Sequence, residues 1–310
     1  MTDAVQLQRR LRLALQNGDH QEAVSCLQQA ADLAHQAGDN AAEGRHLGNL
    51  ALLYHRLRRP AEALDCLEQG LTLVRAAGDR VAENGLLGNK GNILRELGRH
   101  AEAIACLNQA LLLAQEMGDM RGRGIWLGNL GLVYDDQGQH QQAVDCHLQA
   151  VAIARHLHDQ RGLAQRLGKL GDSHYARADF ASAYDAYAES LAICEAIDDR
   201  QGALERLAGM GNALHLLGTA AAGETAAGHF RAARDCYGRA LALAREVGDE
   251  SIQAELLVSL GGALGNLGDY TAAAGHFAAA ASLFERLGRA DRLDTARRGL
   301  SLAQTLAHGS

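Results

Sequence analysis

Apolar residues recur with helical spacing twice within each stretch of about 40 residues. In Arg80 to Gly98, Leu86, Leu87, Ile93, Leu94 and Leu97 share a broad face, and in His100 to Gly118, Ala103, Ile104, Leu107, Leu111 and Leu112 do the same. The pattern predicts two antiparallel helices per stretch. Gly98 and Gly138 suit the left-handed residue that follows a helix. "GD" at Gly38-Asp39, Gly78-Asp79, Gly118-Asp119 and Gly248-Asp249 pairs a C-terminal glycine with a capping aspartate. Pro60, the only proline, falls where a second helix begins and its missing N–H costs nothing.

The same segment returns at a fixed interval. "LGNLALLY" starts at Leu47, "LGNKGNIL" at Leu87, "LGNLGLVY" at Leu127 and "LGKLGDSH" at Leu167, 40 residues apart each time. Such a period marks an array of stacked supersecondary units. In phase, helix pairs are predicted at about 4–37, 40–77, 80–117, 120–157, 160–197, 200–247 and 250–287, with a polar capping helix at about 291–306. The composition never shifts, so residues 1–310 are expected to form a single solenoid. One pair breaks the period: eleven residues, "TAAAGETAAGH", separate Gly218 from Phe230 where Arg99 alone separates Gly98 from His100. Its small residues and two internal glycines favour a loop at 219–229 over added helical turns.

Leu127, Leu130, Gly131, Tyr134 and Ala143, with His147 in an aromatic's place, match the pattern of tetratricopeptide repeats (TPRs). So do Leu47, Leu50, Tyr54, Ala63 and Leu67, and Leu257, Leu260, Gly261, Ala273 and Phe277. The chain resembles a TPR protein whose repeats exceed the usual period of about 34 residues and lack the closing proline. Its long repeats are similar to those of the Pins/LGN polarity adaptors and of many bacterial regulatory proteins. The resemblance implies an all-α, right-handed α-solenoid of seven helix pairs with a capping helix. It also implies a non-enzymatic interaction module binding a protein or peptide segment.

Glycine inside a helix costs about 1 kcal/mol relative to alanine, so the repeated glycines need a reason. Gly91, Gly131, Gly171, Gly211 and Gly261 are expected to meet Ala103, Ala143, Ala183, Ala233 and Ala273 of the partner helix and let two backbones approach. Gly48, Gly88, Gly128 and Gly168 come three residues earlier, about 60° around the helix, toward the surface that in TPRs lines the concave groove. Bare backbone there would leave room for an extended peptide. Asn49, Asn89 and Asn129, with Lys169 in the fourth place, follow these glycines and would face the same groove, each amide offering a donor and an acceptor to a main chain. The resemblance implies ligand contact at this position, and Asn92, Asn212, Arg45 and Arg95 complete the candidate set. The asparagines could equally hydrogen-bond between adjacent repeats, and the two roles are compatible. Asp135 and Asp136 beside the basic residues of other repeats make the groove mixed in sign.

Cys26, Cys66, Cys106, Cys146 and Cys236 occupy one repeat position, and only Cys194 is out of phase. Equivalent helices lie roughly 8 to 10 Å apart or more, whereas a disulfide needs Cα atoms within about 7 Å. The column is expected to be reduced and to fill the same notch in each repeat. With 30 basic and 37 acidic residues, a formal charge of −7, the chain has no general pull toward nucleic acid or anionic membrane. The start has no apolar signal segment, and no apolar run is long enough to span a bilayer, which leads to the expectation of a cytoplasmic protein. No zinc-ligand spacing, phosphate loop or nucleophile elbow occurs, so no enzyme, metal or cofactor is expected. The alternative to peptide capture is a structural solenoid that self-associates or caps a complex through its convex face or ends.

Overall fold

A computed structural model describes residues 2–309, and these form fifteen α-helices. The helices belong to two compact units, residues 1–138 and 139–310. The first holds α1 (Thr2–Asn17), α2 (His20–Gln36), α3 (Asn40–Arg56), α4 (Pro60–Ala77), α5 (Arg80–Glu96), α6 (His100–Glu116) and α7 (Met120–Asp136). The second holds α8 (His140–His156), α9 (Gln160–Ala176), α10 (Phe180–Ala196), α11 (Arg200–Ala220), α12 (Gly223–Val247), α13 (Glu250–Asn266), α14 (Tyr270–Arg286) and α15 (Ala290–Gly309). Within each unit every helix packs on the next in the chain, and the odd-numbered helices also touch one another, α3 on α5 and α5 on α7, then α9 on α11, α11 on α13 and α13 on α15. The fold is the all-α solenoid type that the pattern predicts.

Local rules set the helix ends. Asp39, Asp79, Asp119 and Asp249 each accept a hydrogen bond from the backbone N–H three residues on, and so do Asp19, Asp159 and Asp199. Gly38, Gly78, Gly98, Gly118, Gly138 and Gly248 adopt φ between 70° and 79°. At the same turn position Arg58, His158, Ala178 and Asp198 take φ of 52° to 60°, a conformation costly for residues bearing a Cβ. Pro60 is at the first turn of α4.

The apolar stripes become the cores. Leu67, Leu94 and Leu107 are fully buried in the first unit, and Leu167, Leu207 and Phe284 nearly so in the second. Two residues placed on the apolar face lie outside it: Leu97 caps the end of α5 and is 42% exposed, and Leu112 is 57% exposed. None of the six cysteines forms a disulfide.

The inserted segment is not the loop that its glycines suggested. α11 runs to Ala220 and α12 starts at Gly223, so the ten extra residues lengthen both helices, to 21 and 25 residues against the usual 17. Ala, the strongest helix former, outweighs the glycines, and Gly223 takes the turn at φ 59°.

Candidate functional site

Three of the four first-helix glycines have a different role from the expected one, and Gly128, with nothing within 4 Å of a built Cβ, keeps the open backbone expected. A Cβ on Gly48 would lie 2.3 Å from Leu86 Cδ2, and one on Gly88 2.2 Å from two carbons of the Trp126 ring. One on Gly168 would overlap Arg206 Nη1 at 1.2 Å. In each case the intruding side chain comes from the next first helix, 38 residues on. The backbone at these three glycines is therefore a seat for the following repeat and leaves no room for a ligand chain. Gly171, Gly211 and Gly261 likewise face a large residue rather than the small one expected, namely Tyr187, Tyr237 and Phe277, with ring atoms 2.5 to 2.9 Å from a Cβ built there. Gly91 comes within range of both Leu107 Cγ, at 2.7 Å, and the carbonyl oxygen of Ala103, at 3.3 Å. The alanine one turn earlier on the second helix allows the close approach, and the ring occupies it.

In the first unit, Asn49 is exposed and Asn89 and Asn129 are half-buried. Among the described residues their side chains make no hydrogen bond, nor does that of half-buried Asn92. Their amides are available. Arg45 Nη1 donates to Asp79 Oδ2 at 2.5 Å and Arg95 Nη1 to Asp136 Oδ2 at 2.9 Å. His55 Nε2 stands 2.8 Å from Glu96 Oε2, and Lys90 Nζ 3.1 Å from Glu68 Oε1. The charges around the amide column are thus already paired. Arg45 also belongs to the reason Asp79 titrates below the usual carboxylate range, after the Ala82 N–H that caps α5.

In the second unit, Lys169 Nζ pairs with Asp172 Oδ2 at 3.0 Å. Asn212 Oδ1 accepts from Tyr237 Oη at 2.9 Å, and Asp172 Oδ1 accepts from Tyr187 Oη at the same distance. Asn212 thus ties a first helix to its partner, whereas the Lys169 pair lies within α9.

Two buried polar groups were not apparent in the sequence. Asn84 Nδ2 donates to the carbonyl of Ala110 at 2.5 Å while its Oδ1 accepts from Trp126 Nε1 at 2.8 Å, which links three helices. Arg206 is 8% exposed, with Nη2 on Glu205 at 2.7 Å, Cζ 5.9 Å from the Tyr187 ring centre, and Nε and Nη1 without hydrogen-bond partners. The signal for both was the column at 86, 126 and 206, where leucine, tryptophan and arginine alternate at one repeat position. Among the described residues, no group of three or more His, Cys, Asp or Glu could hold a metal ion, and no helix is long and apolar enough to cross a membrane.

Residues 12–76 and 83–156 match the family model for the tetratricopeptide repeat. A comparison with curated proteins finds no significant match. Among solved structures, the fold is similar to a signal-transduction ATPase (STAND) protein with a tetratricopeptide repeat sensor from Pyrococcus horikoshii. The TM-score is 0.78 at 15% identity, over 93% of this chain and 43% of that one. It is also similar to the apo quorum sensor NprR from B. thuringiensis, with TM-score 0.60 and 16% identity over 98% of this chain and 87% of that one. A Rap protein complexed with Competence and Sporulation Factor aligns with TM-score 0.54 and 15% identity, over 100% of this chain and 99% of that one. Identities this low speak to fold alone. The family match over the first four pairs, and the same helical period continuing through the rest, make this chain a tetratricopeptide repeat protein, a class of protein-interaction scaffold.

Proposed function

We propose that the chain binds an extended segment of another protein through main-chain hydrogen bonds to the asparagine column of its first unit. The observation that carries the reading is the set Asn49, Asn89 and Asn129: three amides in one phase of the repeat, open to solvent in whole or part, and without partners among the described residues. An amide that makes no hydrogen bond within the fold adds little to it, and asparagine is a poor helix former. Asn92 extends the column one turn along α5, and Arg45 and Arg95 flank it with paired charge, so the contact is with backbone rather than with a ligand of one sign. Lys169 and Asn212 carry the same role in the second unit in competition with their internal partners. A Rap protein of this fold was solved in complex with Competence and Sporulation Factor, and the NprR neighbour is described as a quorum sensor, which favours ligand capture over a purely architectural role.

The test takes a partner recovered by pull-down and measures its affinity for Asn89→Ala and Asn129→Ala by calorimetry beside thermal melts. Each lost hydrogen bond is worth about 0.5 to 1.5 kcal/mol, so affinity should fall roughly threefold to tenfold per site with the melting temperature held. Unchanged affinity with a lowered melting temperature would make the column structural. A concentration-dependent mass in dilute solution would then favour the self-assembling alternative.

A further inference from the structure

The second unit contains a cavity of about 390 Å³ among α11, α13, α14 and α15 whose lining includes no Asp, Glu, Lys or Arg. An uncharged cavity of about 240 Å³ also occurs in the first unit, without Phe, Tyr or Trp in its lining, whereas the other described cavities of the second unit carry charge. A cavity of about 420 Å³ elsewhere in the same unit is lined by Glu195, Asp198, Asp199, Arg200, Arg239 and Glu246, and its charges are engaged with each other, as in Arg239–Glu195 at 2.6 Å and Arg200–Glu246 at 3.3 Å. The uncharged cavity has aromatic and bare-backbone walls. A Cβ on Gly261 would meet the Phe277 ring at 2.9 Å and one on Gly299 at 2.7 Å, so the ring is held between two helix backbones. Gly262 and Gly265 line the same space. A Cβ at Gly262 would have only His215 Cε1, at 3.6 Å, as a neighbour, and one at Gly265 would have nothing within 4 Å. Open glycine backbone, which the first unit keeps at Gly128 beside Asn129, occurs here as well.

The polar side chains of the lining are His215, Asn266 and Tyr270. Asn266 Nδ2 stands 3.4 Å from His215 Nε2, and burial holds the His215 imidazole below its ordinary titration range, so it is neutral at physiological pH. His215 packs edge-on against Phe230, ring centres 5.3 Å apart, at the base of the extended α11–α12 hairpin. The break in the 40-residue period therefore adjoins this uncharged, aromatic-lined cavity. Leu302, 62% exposed, and Leu306, 40% exposed, complete an apolar wall on α15.

We propose that this cavity receives an uncharged aromatic side chain of a bound protein segment, with Asn266 hydrogen-bonding that residue's main chain. The volume falls within the range of small-ligand pockets, about 300 to 1,000 Å³. Phe277 and His215 are rings against which an incoming ring can pack, and the lack of charge disfavours an acidic or basic side chain that would lose its hydration without a partner. The proposal rests on the segment-binding reading above, and it adds an anchor in the second unit that the asparagine column does not supply.

The probe is N-acetyl-tryptophan amide, titrated into the full chain by ligand-observed NMR, with 3-methylindole and N-acetyl-glutamate amide alongside. The capped tryptophan should bind more tightly than either. Gly265→Leu, which fills the cavity at a helical position free of neighbours, should weaken it at least tenfold while leaving the circular dichroism and melting curve intact. Gly275→Leu, on the exposed side of α14 and equally free of neighbours, should leave it unchanged. Asn266→Ala should reduce binding of the capped amino acid and not that of 3-methylindole. Equal binding of 3-methylindole and the capped amide would make this a small-molecule site and overturn the proposal, as would equal binding of the glutamate probe or indifference to Gly265→Leu. Asn89→Ala and Asn129→Ala lie in the other unit and should bind the probe as wild type does. Failure of the asparagine column thus shows in partner affinity alone, and failure of this pocket in the probe.

Discussion

Replacing Gly88 by alanine reverses the usual rule for a glycine in mid-helix. Alanine is the better helix former by about 1 kcal/mol, and Gly85, on the same helix with nothing within 4 Å of its built Cβ, should obey that rule. At Gly88 the new methyl would stand 2.2 Å from Cη2 and Cζ3 of Trp126 and 2.7 Å from Cε3, where ordinary contact begins at 3.4 Å. The ring must retreat by 3.4 − 2.2 = 1.2 Å. It cannot do so cheaply. Trp126 is 8% exposed and its Nε1 donates to Asn84 Oδ1 at 2.8 Å, and Asn84, 4% exposed, is itself fixed to the Ala110 carbonyl. Overpacking costs about 1 to 3 kcal/mol, and stranding the Asn84 oxygen in the core about 1 to 3 more. Set against the propensity gain, the net loss should be about 1 to 5 kcal/mol.

Trp126 is the only tryptophan, so its fluorescence during urea denaturation reports the unit that holds both residues. Gly85→Ala should raise the midpoint and Gly88→Ala should lower it. A double variant, Gly88→Ala with Trp126→Leu, followed by circular dichroism, should recover part of the loss, because Leu86 at the equivalent seat over Gly48 presents only the end of a flexible side chain. If Gly88→Ala were as stable as Gly85→Ala, the glycine would not be a seat for the next repeat, and its use as open backbone for a ligand would return.

The remaining expectations are simpler to check. Deleting residues 219–228 should leave the melting midpoint nearly unchanged, since none of them is buried and stability in an array resides in the repeats and their interfaces, whereas loss of cooperativity would show that the added turns belong to the core. Thiol titration without reductant should find six reduced cysteines, with half-buried Cys106 and Cys236 reacting ahead of buried Cys66; burial pushes the Cys66 thiol up to about 11, leaving only about one thiolate in a thousand at pH 8, and recovery of four or fewer thiols would refute the packing role of the column. Burial lowers the pKa of His46, His174, His215 and His276 from the ordinary 6.5, so the unfolded chain takes up protons first as pH falls. Their contribution is therefore fully present above about pH 6.5 and is lost below it, so the melting temperature should drop between pH 7 and 5, and His215→Gln should make that drop shallower; a flat profile would refute the assignment.

Helix ends and the paired-helix plan were legible because they are written in local code. "GD" specifies a left-handed residue and an N-cap within two positions, and each of the four instances behaves so. Turn positions that lack glycine escaped notice, since Arg58, His158, Ala178 and Asp198 reach the same backbone conformation only because the helices on either side hold it. The insertion conceals its helices for a related reason. Within eleven residues the glycines are outweighed by the helix propensity of five alanines and by the template that two long neighbouring helices provide.

The role of the first-helix glycines was not legible, and the reason is geometric. Helical phase fixes the direction in which a residue points, so Gly48, Gly88 and Gly168 could be assigned a common face from sequence alone. What occupies that face depends on the offset between consecutive repeats, and the offset appears only when Leu86, Trp126 and Arg206 are seen over their glycines. Once it is known, the column at 86, 126 and 206 shows how one seat is filled in three chemical ways. Leucine fits with a flexible tip, tryptophan needs Asn84 for its N–H, and arginine needs Glu205 and the Tyr187 ring and still keeps two nitrogens without acceptors. A buried guanidinium left partly unsatisfied is costlier than either apolar occupant. The α9–α11 contact therefore carries a desolvation cost that the α3–α5 and α5–α7 contacts do not, and Arg206→Leu should raise the urea midpoint, whereas an unchanged or lowered midpoint would refute that cost.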